Sequence, residues 1–93
     1  MKVCKAVLIT EQDTVLTVLE EVKTGEYAAT GSEKIMAKEN IPQYHKIARL
    51  DICRGDRIYK YGQPMGYATM DIKQGQWVHT HNADSEEPEG DVV

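Results

Sequence analysis

Short apolar runs broken by Gly, Pro, Asn or Asp recur along the chain, at residues 3–9, 26–29, 34–37, 46–50, 57–61, 66–70 and 76–81. Runs this brief and this closely spaced predict an all-β domain with many tight turns. Residues 13–23 read two ways. Val15, Leu16, Val18, Leu19 and Val22 fall at helical spacing, but Thr14, Val15, Thr17 and Val18 are β-branched and favour a strand. The strand is the preferred reading. Elsewhere no segment offers three clean helical turns, and Gly or Pro interrupts much of the chain after residue 41.

A small repeat sharpens this picture. Asp51-Ile52-Cys53-Arg54-Gly55-Asp56 and Asp71-Ile72-Lys73-Gln74-Gly75-Gln76 share the form D-I-x-x-G, and Glu21-Val22-Lys23-Thr24-Gly25-Glu26 follows it loosely. The form predicts a turn. An acid folds onto nearby backbone N–H groups, an apolar side chain anchors the turn to the core, and Gly supplies the positive φ that starts the next strand. The repeats are too irregular for a solenoid and suggest strand pairs related by pseudo-symmetry. Gly62 and Gly66, in the loop Tyr61-Gly62-Gln63-Pro64-Met65-Gly66, are likewise expected at positive φ.

At 93 residues the chain is one domain with a modest core. Its net charge of −4 belongs to one end: Asp84, Glu86, Glu87, Glu89 and Asp91 stand in a segment without Lys or Arg, and the rest is nearly neutral. The expected division is a domain over residues 1–83 and an acidic, solvated tail over 84–93. No basic stripe interleaved with aromatics points to nucleic acid. No apolar run approaches the ~20 residues that span a bilayer, and no secretory signal follows Met1-Lys2, so a cytoplasmic protein without membrane contact is expected. Cys4 and Cys53 lack zinc-ligand spacing and read as small semi-buried side chains. Their number permits a disulfide, which a cytosolic setting argues against.

Candidate chemistry concentrates in His79-Thr80-His81-Asn82. On a strand, His79 and His81 would share a face with Trp77, able to hold a metal or an anion, while Val78 turned to the core. The bland alternative is two polar side chains on the solvent face of an edge strand. His45 and Lys46 leave the turn set by Pro42, and either join that site or sit in an exposed loop. Lys60 and the amides near Gly62 can hold a carboxylate or sulfonate, or simply form a hairpin loop. No nucleophile motif or phosphate loop is present, and three His with no carboxylate dyad do not make a complete active site.

The ordered set Ile41-Pro42, His45-Lys46-Ile47-Ala48, Asp51-Ile52, Gly55, Lys60-Tyr61-Gly62, Gly66, Ala68-Thr69, Asp71-Ile72, Gly75, Val78-His79 and His81-Asn82 resembles the SAF-type domain of the altronate/galactarate dehydratase family, which includes sulfolactate sulfo-lyase. The resemblance covers residues 41–82, and more loosely the strand and turn before them. It implies a β-clip fold of short bent strands and a role as small subunit, inactive alone, of a carbon–oxygen or carbon–sulfur lyase. It also implies a large catalytic partner, a sugar-acid or sulfonate substrate, and a divalent metal such as iron or manganese in the assembled enzyme. Homo-oligomerisation stays open. On this reading His79 and His81 are catalytic, or metal ligands, and His45, Lys46, Lys60 and Gly62 bind substrate. The other reading is a stand-alone, non-catalytic binding or regulatory module, since fold does not fix function. Two departures stand out: the family's Gly before the histidine of I-P-x-G-H-K is Tyr44 here, and Met65 replaces Ile or Val.

Overall fold

A computed structural model describes residues 2–85. Among them lie nine short strands and no helix: β1 (Val3–Val7), β2 (Val15–Val18), β3 (Tyr27–Ala29), β4 (Lys34–Met36), β5 (Lys46–Ala48), β6 (Arg57–Lys60), β7 (Gln63–Ala68), β8 (Trp77–Val78) and β9 (Ala83–Ser85). The domain is all-β, as its punctuated apolar runs require, and residues 13–23 resolve to β2. Six strands form one sheet in the order β4-β3-β1-β2-β5-β8, and three form another in the order β6-β7-β9. Among the described strands only the β1–β3 pairing is parallel.

β2 and β5 sit between two apolar clusters and feed both by strand alternation. Leu16 and Ile47 enter a cluster with Cys4, Val18, Val22, Ala28, Ile35 and Ile41. The adjacent cross-strand pair Val15 and Ala48 enters a second with Ile52, Ile58, Ala68, Ile72 and Val78. Each such fully buried Val or Ile stabilises the fold by about 1.5–3 kcal/mol. β8 also straddles the two: Val78 is buried in the second cluster while Trp77 packs against the first.

The D-I-x-x-G turns form as expected, with Gly25, Gly55 and Gly75 at φ near +90°. A fourth copy appears at Asn40-Ile41-Pro42-Gln43-Tyr44-His45, where Tyr44 takes the glycine position at φ 68°. In each copy the sixth residue's N–H donates to the third residue's carbonyl: Glu26 to Lys23, His45 to Pro42, Asp56 to Cys53, and Gln76 to Lys73. The copies pair through two-way bridges, Val22 with Ile41 and Ile52 with Ile72.

Gly62 has the expected positive φ, but Gly66 does not. Gly66 is required for another reason: a Cβ there would strike the Asp84 backbone carbonyl, because β9 lies close against β7. Asp84 and Ser85, assigned from sequence to the acidic extension, thus stand on a paired strand, and residues 86–93 of that extension lie outside the described residues. Both cysteines are free, Cys4 buried and Cys53 exposed. Among the described residues no helix is long and apolar enough to cross a membrane.

Candidate functional site

The fourth turn and the end of β8 meet, and they bring the three histidines together. Lys46 pairs with Val78 and Ile47 with Trp77 in the β5–β8 ladder, which sets His45 beside Trp77. The indole Nε1–H of Trp77 donates to His45 Nδ1 at 3.2 Å. His79 stacks on the indole face, 5.2 Å between centroids with a 6° interplanar angle, and lies 4.9 Å from the His45 ring. His81 also packs against the indole, tilted at 48° with centroids 5.2 Å apart, and is exposed.

The strand expected over 76–81 ends at Val78, so His79 and His81 leave from a turn rather than alternating along a strand. Asn82 shapes that turn. It is 4% exposed, its Oδ1 accepts the His79 N–H at 3.0 Å, and its Nδ2 donates to the Trp77 carbonyl at 2.8 Å. A buried side-chain amide satisfied at both ends holds its neighbours rigidly. The two histidines therefore share Trp77 as a wall through a different geometry from the one sequence alternation implied.

His79 and Lys46 line a cleft of about 240 Å³ with Ile58, Met65, Thr80 and Asp84 on its walls. Lys46 is half-buried and, among the described residues, forms no salt bridge. Burial, then the neighbouring Lys60 ammonium, pushes its pKa down. The His79 imidazole is also pushed below its ordinary value, by burial first and then by His45, Lys46 and His81. Each of these groups favours a bound negative charge, which would relieve the mutual repulsion and replace lost hydration. The cleft suits a small anion.

Lys60 lies over the Tyr61 ring at 4.7 Å and contributes positive potential near Lys46. Gly62, the other expected contact to substrate, is differently engaged. Its N–H donates to Asp13 Oδ1 at 2.7 Å. The loop does bind a carboxylate, and in this structure it is the chain's own. Asp13 is 2% exposed and also accepts from the N–H and hydroxyl of Thr10. Burial works to raise its pKa, but bonds from Gly62, Tyr61 and Thr10 outweigh it and hold the carboxyl below its usual range. Asp13 was not singled out from sequence, since its partners lie up to 49 positions away. Only its place in a Thr10-x-x-Asp13 turn offered a signal.

Among the described residues no three His, Cys, Asp or Glu side chains gather as a metal shell. His79 and His81, the candidate ligands, find no third, and His45 Nδ1 is held by the indole. These residues do not by themselves fit a divalent metal.

Residues 4–86 match the family described as the altronate/galactarate dehydratase SAF domain. The chain is 40% identical over 74 residues to altronate dehydratase of Bacillus subtilis (strain 168), covering 80% of this chain and 15% of that protein. It is 42% identical over 57 residues to galactarate dehydratase (L-threo-forming) of Escherichia coli (strain K12), covering 61% of this chain and 10% of that one. With (2R)-sulfolactate sulfo-lyase subunit alpha of Paracoccus pantotrophus it shares 39% over 49 residues, 53% of this chain and 73% of the relative. The chain thus spans a small fraction of the two dehydratases and most of the sulfo-lyase subunit.

Proposed function

This chain belongs to the altronate/galactarate dehydratase SAF-domain family, and on that premise we propose that it is the small subunit of a lyase that eliminates water or sulfite from a small hydroxy acid. The observation that carries this reading is the cleft where Lys46 and His79 stand together, with Lys60 adding to its positive potential. An acid's carboxylate, or a sulfonate, meets Lys46. His79, its neutral form favoured by burial and by neighbouring cations, accepts a proton or a hydroxyl hydrogen bond. His81, exposed against Trp77, is not on the cleft wall and is left to face the partner. A large partner supplies the remaining acid–base groups, together with the divalent metal that these residues do not hold alone. The relatives fit this division, since the matched region is 15% of an altronate dehydratase but 73% of a sulfo-lyase subunit.

Affinity purification of the tagged chain from its native cell tests the proposal. A much larger chain is expected to come with it, and the reconstituted pair is expected to act on altronate, galactarate or sulfolactate while the small chain alone does nothing. His79→Ala should lower turnover of the pair at least ~tenfold, as expected for a positioned acid–base group. Full turnover in that variant, with assembly intact, would remove the cleft from the chemistry. A chain that purifies alone and still binds small acids would instead be a stand-alone binding module.

A further inference from the structure

Three of the four turns close with a side-chain acceptor at their sixth position. Glu26 Oε1 accepts the Lys23 N–H at 2.9 Å, Asp56 Oδ2 the Cys53 N–H at 3.0 Å, and Gln76 Oε1 the Lys73 N–H at 2.6 Å. In the fourth turn the corresponding donor is absent, because Pro42 has no N–H. His45 occupies the acceptor's position with no turn amide to cap, and its Nδ1 accepts from Trp77 Nε1–H instead. An indole N–H only donates, so the nitrogen it meets presents a lone pair, and a neutral imidazole then carries its one proton on Nε2. The ring of His79 differs. It lies flat on the indole, and among the described residues neither of its ring nitrogens has a hydrogen-bond partner within the chain.

We infer that Trp77 is a positioning residue that holds His45 as its Nε2–H tautomer, making Nε2 a hydrogen-bond donor, while of these two rings His79 keeps both nitrogens without a partner in the chain and can accept a proton. The pair is thereby divided into a donor and an acceptor before any ligand arrives. His45 Nδ1 serves neither as base nor as metal ligand without losing the indole bond. The identity of the anion rests on the lyase reading above. The tautomer and its cause do not.

The test uses the isolated ¹⁵N-labelled chain by NMR at a pH near 8. Wild type should show a nitrogen–nitrogen coupling across the hydrogen bond from Trp77 Nε1 to His45 Nδ1, with His45 Nδ1 unprotonated and Nε2 protonated. Lactate, added as the probe, should shift the His45 Nε2–H signal. Trp77→Phe keeps an aromatic ring but removes the donor, so the Nδ1–H tautomer should become populated and lactate should bind about fivefold more weakly, the scale of one lost hydrogen bond. Protonated Nδ1 in wild type, or His45 nitrogen signals unchanged in Trp77→Phe, would overturn the inference. The wild-type coupling decides the matter even where the variant does not fold. Coupling in the isolated chain, with no larger chain recovered on affinity purification, would sink the lyase reading and leave this one standing. A partner without coupling would do the reverse.

Discussion

In the turn pair at residues 51–56 and 71–76 every position is given to holding the fold, whereas the pair at 21–26 and 40–45 keeps the same backbone and gives up part of that reinforcement. The first pair is reciprocal. Asp51 Oδ1 accepts the Gln74 N–H and Asp71 Oδ1 the Arg54 N–H, both at 2.8 Å, and both turns use Gly at positive φ and an acceptor in the sixth position. In the second pair Asn40 still accepts from Thr24 N–H at 2.9 Å. Yet Pro42 removes a donor, Tyr44 stands 67% exposed in the left-handed region, and His45 turns to Trp77. A repeat that departs from its own rule at three neighbouring positions gives up local stability there. The departures run up to Lys46 of the cleft wall, while the regular pair anchors in the second cluster, whose Ile58 and Val78 also line the cleft.

Gly75 against Gly55 gives the largest expected effect. Both have positive φ, but a Cβ at Gly55 meets open space while one at Gly75 would strike the Met36 backbone carbonyl. Gly55→Ala should cost about 1 kcal/mol, from backbone strain alone. Gly75→Ala should cost about 3 kcal/mol, since overpacking adds to the strain. Equal midpoints in urea unfolding would mean that the two turns are not packed as differently as they look.

Asp51→Ala and Asp71→Ala come next. Each removes a side-chain cap on the partner turn and should cost about 1 kcal/mol. Because the two caps are separate bonds in one bridge, the double variant should exceed the sum only if they cooperate. A thermal melt of the four-member cycle measures this, and no loss in either single variant would break the claim of reciprocity.

Tyr44→Gly has the opposite sign. It relieves left-handed strain at an exposed side chain and should stabilise by about 0.5–1 kcal/mol, the strain relieved less the added freedom of the unfolded glycine. A destabilised variant would show that Tyr44 makes a stabilising contact and that the second pair is not the relaxed one.

The smallest effect concerns pH. The His79 pKa is lowered in the fold, by burial first and then by His45, Lys46 and His81. Between the folded value and the ordinary 6.5 the unfolded chain binds more protons, so His79's contribution is intact above 6.5 and declines as pH falls through the folded value. NMR titration should place His79 below 6.5 in wild type and higher in Lys46→Gln. A His79 curve unmoved by loss of Lys46 would separate the two groups and weaken the single-cleft description.

Much of the frame was legible because it is local. A D-I-x-x-G turn carries its acid, anchor and glycine within five residues, so its chemistry is written in one stretch, and the all-β class and family resemblance follow from such stretches in order. The fourth turn escaped that reading because Pro42 and Tyr44 replace the residues that announce it. What only the tertiary structure decided joins distant positions: the indole bond to His45 spans 32 residues, and the Asp13 carboxylate reaches the Gly62 amide across 49. The turn that redirects His79 and His81 depends in part on the burial of Asn82, and the need for Gly66 arises from a strand nearly twenty residues later. Local propensity names which turns a segment can make. Which side chains those turns bring face to face depends on the path of the whole chain, because hydrogen bonds and close packing act only at contact.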